Sequence, residues 1–147
     1  MKHFDSTRPA DIVAHYGEDY DTHFGSMAPP IYQTSLFVQN GQPYDYSRIS
    51  NPTLDLAEEK LAALEHGDKA LLYSSGVAAI TAAINAHVKS GDHIVMHRSA
   101  YGPAMQFLRY LEKFGITHTL VDGKYFDQIE AAVKPNTTVI YLESPAT

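Results

Sequence analysis

Between Ala70 and Leu142 short apolar runs alternate with longer helical stretches, and no other feature constrains the fold as tightly. Ala70-Leu71-Leu72-Tyr73 reads as a strand, followed by a helix from about Gly76 to Lys89. His93-Ile94-Val95-Met96 is a second strand, followed by a helix from about Pro103 to Phe114. Thr117 to Val121 is a third, followed by a helix from about Tyr125 to Val133 that Pro135 ends. Thr138-Val139-Ile140-Tyr141-Leu142 is a fourth. A strand that returns parallel to its neighbour needs a crossover, and a helix supplies it. The alternation predicts an α/β fold: a mainly parallel sheet in the middle of three layers, with helices on both faces. The segment Val77 to Ile84 is apolar almost all round, so its helix is expected to be buried on most sides, near the middle of a larger body. The fourth strand has no covering helix before Thr147, and parallel strands are normally covered on both faces. The pattern therefore reads as a fold interrupted partway.

Residues 1–50 follow no helical or strand period. They contain Met27-Ala28-Pro29-Pro30 and Asn40-Gly41-Gln42-Pro43, together with Tyr16, Tyr20, Phe24, Tyr32, Phe37, Tyr44 and Tyr46. So many aromatics argue for an ordered, extended arm packed on another body, against the blander reading of a partly disordered leader. At Asn51-Pro52-Thr53 a helix begins, with a capping side chain and a proline in the first turn. Leu54, Ala57, Leu61 and Leu64 share one face, and Gly67 is placed as the left-handed residue after the helix. Residues 51–147 read as the first part of a larger domain.

Charge and composition exclude several functions. The 147 residues carry a formal net charge of −6 with the basic residues scattered, which gives no electrostatic case for nucleic acid or an anionic membrane surface. There is no cysteine, hence no disulfide, thiolate site or cysteine nucleophile. The N-terminus lacks a signal-peptide core, and no apolar run reaches membrane-spanning length, so a soluble cytoplasmic protein is expected. Among eight histidines, His93 and His97 share a strand face but lie roughly 13 Å apart, too far for one metal ion. The hydrolase elbow, the P-loop and the dinucleotide fingerprint do not occur.

Ligands of open α/β sheets bind beyond the carboxyl ends of the strands. Ser74-Ser75-Gly76 arrives there, and a glycine before a helix start is the outline of a phosphate cradle; a plain capped turn has the same outline. Tyr101 stands at the mouth of the next helix, suited to stack on a flat ring or move a proton, or simply to sit on the surface. Glu143 follows the fourth strand, either as an anchor for loops or as a solvated carboxylate. Tyr46 and Arg48 are two residues apart. In an extended segment both point the same way, a pairing that suits a phosphate. A surface arginine in a loop is the bland alternative.

Taken together, four strings are specific. Tyr46-Ser47-Arg48-Ile49-Ser50-Asn51-Pro52-Thr53, Ser74-Ser75-Gly76-Val77-Ala78-Ala79-Ile80, Ala100-Tyr101-Gly102 and Val139-Ile140-Tyr141-Leu142-Glu143-Ser144-Pro145-Ala146 occur in this order. From about Pro29 onward the chain resembles the pyridoxal-phosphate (PLP) enzymes of cysteine and methionine metabolism: cystathionine γ-synthase, cystathionine β- and γ-lyase, and methionine γ-lyase. The resemblance implies the front part of the fold type I PLP-dependent fold and a sulfur amino acid as substrate. It also implies a homo-oligomer built as a dimer of dimers, whose arm wraps a partner subunit. Tyr46 and Arg48 would grip the phosphate of the neighbouring subunit's cofactor. Ser75, Gly76 and Val77 would hold the phosphate on the subunit's own cofactor, Gly76 and Val77 through backbone donors. Tyr101 would cover the pyridine ring, and Thr147 would neighbour the cofactor's 3-oxygen, where many relatives have asparagine.

The same resemblance places an aspartate that pairs with the pyridine nitrogen, and a Ser-x-Thr-Lys stretch carrying the anchoring lysine, further along than these 147 residues. The lysines present are Lys2, Lys60, Lys69, Lys89, Lys113, Lys124 and Lys134. None is expected at the carboxyl end of a strand. Pro103 stands where methionine γ-lyases usually have cysteine, which favours a cystathionine-directed enzyme.

Overall fold

The computed structural model describes residues 7–19, 23–41 and 43–146. The chain divides into two compact units, Met1–Leu72 and Tyr73–Thr147.

The first unit contains helices α1 (Pro9–His15) and α2 (Pro52–Leu64). α1 lies inside the stretch expected to be an extended arm. Seven residues are too few to display a period, but Pro9 fits the first turn and Asp11 complements the dipole there. α2 begins as expected: the Asn51 side chain accepts the Thr53 N–H at 2.9 Å, with Pro52 behind it. The Lys60 ammonium donates to the Val13 carbonyl at 2.9 Å, tying α2 to α1. The end of α2 differs from expectation. His66, not Gly67, takes the left-handed conformation, at φ 54°. Gly67 comes one place later and donates its N–H back to the Ala62 carbonyl at 2.9 Å, the six-residue closure of a Schellman cap.

Buried Asn51 also organises the chain before it. Its amide nitrogen donates to the Tyr32 carbonyl at 3.1 Å and to the Ser47 hydroxyl at 2.8 Å. Leu36 and Tyr46 form an antiparallel bridge, with Phe37 N–H on the Asp45 carbonyl and Ser47 N–H on the Ser35 carbonyl. The Phe37 and Tyr44 rings meet at 5.6 Å.

The second unit contains α3 (Gly76–Asn85), β1 (His93–His97), α4 (Gly102–Leu111), β2 (Thr117–Val121), α5 (Phe126–Ala132) and β3 (Thr137–Tyr141). The three strands are parallel in the order β2-β1-β3. Central β1 is buried at every residue. Ile94 and Met96 pack on Ile84 of α3 and on Ala104, Leu108 and Leu111 of α4. Val95, on the opposite face, packs with Val121 and with Ile129 of α5. Helices therefore cover both faces, as the alternation requires. His93 shares the Val95 face, and its ring bridges the Thr137 hydroxyl at 2.8 Å and the Thr119 hydroxyl at 2.9 Å. Burial first, then Lys134 and His118, hold this imidazole below its ordinary pKa.

Two expectations fail here. Ala70–Tyr73 forms no strand; among the described residues no strand pairs with it, and Leu71 is 69% exposed. A strand exists only where a neighbour takes its hydrogen bonds. Likewise α3 buries only Ile84 fully, because a helix apolar all round needs more than one covering layer. It also stops at Asn85, short of Lys89, whose N–H donates to the Asp92 carboxylate at 2.9 Å instead.

Candidate cofactor site

Ser75 caps α3, its hydroxyl accepting the Ala78 N–H at 3.2 Å, while the Ser75 carbonyl takes the Ala79 N–H. Among the described residues no hydrogen bond uses the N–H of Gly76 or Val77. These are the orphan donors of a helix start, where the dipole favours an anion. A Cβ built on Gly76 would meet no atom within 4 Å, so a ligand can approach the main chain. A phosphate ester fits this arrangement of free amides, open space and helix N-terminus.

Tyr101 is the N-cap residue of α4, with no side-chain cap of its own. Its N–H is taken by Glu143 Oε2 at 2.9 Å, and its side chain remains 45% exposed. Glu143 is therefore a loop anchor, the first of the two readings the sequence left open. Its other oxygen accepts the Tyr141 hydroxyl at 2.7 Å, and its own N–H donates to His97 Nε2 at 2.9 Å. Burial, then the Glu143 carboxylate, push the Tyr141 hydroxyl up to about 12.

At the carboxyl ends of the strands a cavity of about 340 Å³ is lined by His97, Ser99, Gly123, Lys124, Glu143 and Ser144, among others. Lys124 thus stands at the end of β2, contrary to expectation. The reason is local: the Lys124 N–H folds back to the Asp122 carboxylate at 3.2 Å, a tight turn that keeps the lysine beside the strand end. Among the described residues no group of three or more histidines or carboxylates is arranged for a metal ion.

In the first unit, Tyr46 and Arg48 come together by a different route from the one expected. The segment is a turn, with the Ile49 and Ser50 N–H groups on the Tyr46 carbonyl. The Arg48 guanidinium lies 4.9 Å from the Tyr46 ring centroid. Arg48 is exposed, and a guanidinium set against a ring can still fork onto phosphate oxygens through its N–H groups. Thr147 lies outside the described residues, as does Tyr20 of the arm. The structure thus joins Tyr46 with Arg48 in one unit, and Tyr101 with Glu143 in the other, where Ser75, Gly76 and Val77 form the start of α3.

A parallel α/β sheet with a bare helix start, and an exposed tyrosine opening the helix that follows β1, marks the class of enzymes that seat a phosphorylated cofactor beyond their strand ends. The profile of the Cys/Met metabolism PLP-dependent enzymes matches residues 10–147, and the chain belongs to this family. It is 44% identical to an L-methionine gamma-lyase of Porphyromonas gingivalis, over 89% of this chain and 36% of that protein. It is 41% identical to a cystathionine beta-lyase of Lactococcus lactis, over 91% of this chain and 36% of that one. The crystal structure of cystathionine gamma-lyase from Lactobacillus plantarum complexed with L-serine superposes with a TM-score of 0.85 at 36% identity, over 95% of this chain and 38% of that one. The chain spans little more than a third of these relatives. Relatives of similar identity carry different reaction names, so Pro103 alone does not assign the chemistry. No helix among the described residues is long and apolar enough to cross a membrane.

Proposed function

We propose that this chain is the front part of a PLP-dependent carbon–sulfur lyase or transferase of the trans-sulfuration type. It acts on cystathionine or a related sulfur amino acid by β- or γ-elimination or γ-replacement. The observation that carries this reading is the start of α3, where Ser75 closes the cap, no hydrogen bond among the described residues uses the Gly76 or Val77 N–H, and a Cβ on Gly76 would meet no atom within 4 Å. Bound there, pyridoxal phosphate supplies an electron sink for loss of the substrate's α-proton. The chain's own residues do the holding and covering. Ser75, Gly76 and Val77 bind the phosphate on their own subunit. Tyr46 and Arg48 bind the phosphate of a neighbouring subunit's cofactor in a homo-oligomer arranged as a dimer of dimers. Tyr101 covers the ring and serves as a proton carrier, and Thr147 sits by the 3-oxygen. Residues 1–50 act as the arm toward the partner, and the anchoring lysine and the aspartate for the pyridine nitrogen follow later in the protein. The location is cytoplasmic.

A second reading is a non-catalytic module that keeps the fold to bind a subunit or a phosphate ligand. It is favoured by one observation: the unused Gly76 and Val77 N–H groups at the start of α3 would suit any phosphate ligand, not only a cofactor's. Reading the gene past codon 147 separates the two. An open frame carrying the lysine and aspartate supports the enzyme; a stop with nothing complementary nearby supports the module. On the chain itself, pyridoxal phosphate is expected to bind in competition with inorganic phosphate. Borohydride reduction should leave no specific adduct on any of the seven lysines. A specific adduct on Lys124 would show that the chain carries its own anchor and would overturn that part of the proposal.

A further inference from the structure

Glu143, two residues beyond β3, has its carboxylate and N–H committed. Oε2 accepts the main-chain N–H of Tyr101, 42 residues earlier, at 2.9 Å. Oε1 accepts the Tyr141 hydroxyl at 2.7 Å, and the Glu143 N–H is donated to His97 Nε2 at 2.9 Å. His97 is buried on β1, and Gly123 of the β2 loop packs closely beside it: a Cβ added to Gly123 would lie 2.9 Å from the His97 Cβ. The ends of β1 and β3 and the start of α4 are thereby joined through one residue: the Glu143 main chain holds β1, and its carboxylate holds Tyr141 and Tyr101. Because α4 lacks a side-chain cap, this bond is the fixed point from which the exposed Tyr101 ring projects.

We infer that Glu143 is a positioning residue for Tyr101: its carboxylate fixes the Tyr101 main chain and so sets the direction of the phenol ring. The inference rests on the reading above for what the ring covers, but the anchor itself does not. A carboxylate accepting an amide N–H is among the stronger hydrogen bonds, and this one serves the N-cap residue's own N–H, the donor that the glutamate of a capping box serves. The groups facing Glu143 are Tyr101, Tyr141 and His97, and Lys124 lines the same cavity.

The test is amide exchange and amide chemical shift at Tyr101 in the full 147-residue chain. Glu143→Ala is expected to lower protection of the Tyr101 amide by about tenfold or more, as loss of a hydrogen bond to a charged group implies. Glu143→Gln keeps an acceptor oxygen and should retain most of the protection. In the unsubstituted chain the Tyr101 amide signal should move as acid protonates the carboxylate, and in Glu143→Gln that movement should vanish. Equal protection in the unsubstituted chain and Glu143→Ala, with the β1 and β2 amides still protected, overturns the inference. If Glu143→Ala loses protection throughout, the shift experiment decides, and movement that persists in Glu143→Gln overturns it. The visible circular dichroism of added pyridoxal phosphate separates the two levels. A released Tyr101 amide in Glu143→Ala, with dichroism unchanged both there and in Tyr101→Leu, upholds the anchor and removes Tyr101 from the cofactor ring.

Discussion

A Cβ added to Gly76, the first residue of α3, enters open space, whereas one added to Gly17 would lie 2.4 Å from Leu56 Cδ1. Gly17 also has φ +87°, a conformation that side chains resist. Gly17→Ala should therefore destabilise the first unit by about 1–3 kcal/mol, through overpacking and strain, read as a lower denaturant midpoint. Gly76→Ala should behave in the opposite way. Alanine is the better helix former, so stability should not fall. Affinity for pyridoxal phosphate should drop about tenfold, because the new methyl stands where a phosphate must approach the amides. Unchanged affinity would mean that the start of α3 is not the phosphate site. Gly76 was legible from its neighbours, two serines before it and an apolar helix after it. Gly17 was not, since its reason is a leucine in another helix. The same holds for Glu143. Its place after a strand was visible, but its bond to Tyr101 depends on two loops meeting in space.

Elements were read well where the chain supplies their partners. β2 falls on Thr117–Val121 as expected, and β1 and β3 are within one residue of expectation at each end. Each of these strands pairs and packs with residues of the same unit. Ala70–Tyr73 has the composition of a strand and, among the described residues, no neighbour that pairs with it, so pattern alone could not decide it. The His66–Gly67 end of α2 shows the other limit. A glycine after a helix marks the cap, but which of two adjacent residues turns left-handed depends on the backbone closure. His93 gives the sheet a dependence on pH. Its pKa is lowered in the folded state, so the unfolded chain binds the proton more readily. Stability is then fully present above the ordinary histidine value, about 6.5, and is lost as pH falls below it toward the folded value. Unfolding free energy measured from about pH 7 to pH 5 should fall, and His93→Gln should flatten that fall by removing its share. An unchanged slope in the variant would show that the imidazole between the two threonines does not carry the effect.

The whole molecule has features that its own residues do not complete. α3 is apolar on nearly every side yet fully buries only Ile84, and β3 is an edge strand with Ile140 49% exposed. Both suit a chain that spans little more than a third of its relatives' length. The Tyr46–Arg48 pair invites the same question about a second subunit. If it serves the neighbour's phosphate, Arg48→Ala in the completed enzyme should weaken cofactor retention by about tenfold or more, the loss of a charged, forked contact. A subunit so altered still has its own lysine, and a subunit altered only at that lysine still has its own Arg48. In a two-fold dimer each contact is made twice, with roles exchanged. A mixed dimer of the two variants therefore holds one intact site and one doubly broken site. Random reassembly of equal amounts makes half the dimers mixed, so about a quarter of all sites should recover. Recovery near that level, assayed at a cofactor concentration too low for the Arg48→Ala homodimer to retain it, places Arg48 across the interface. No recovery, with exchange of subunits verified by mass, would place the guanidinium in its own subunit's site or in none.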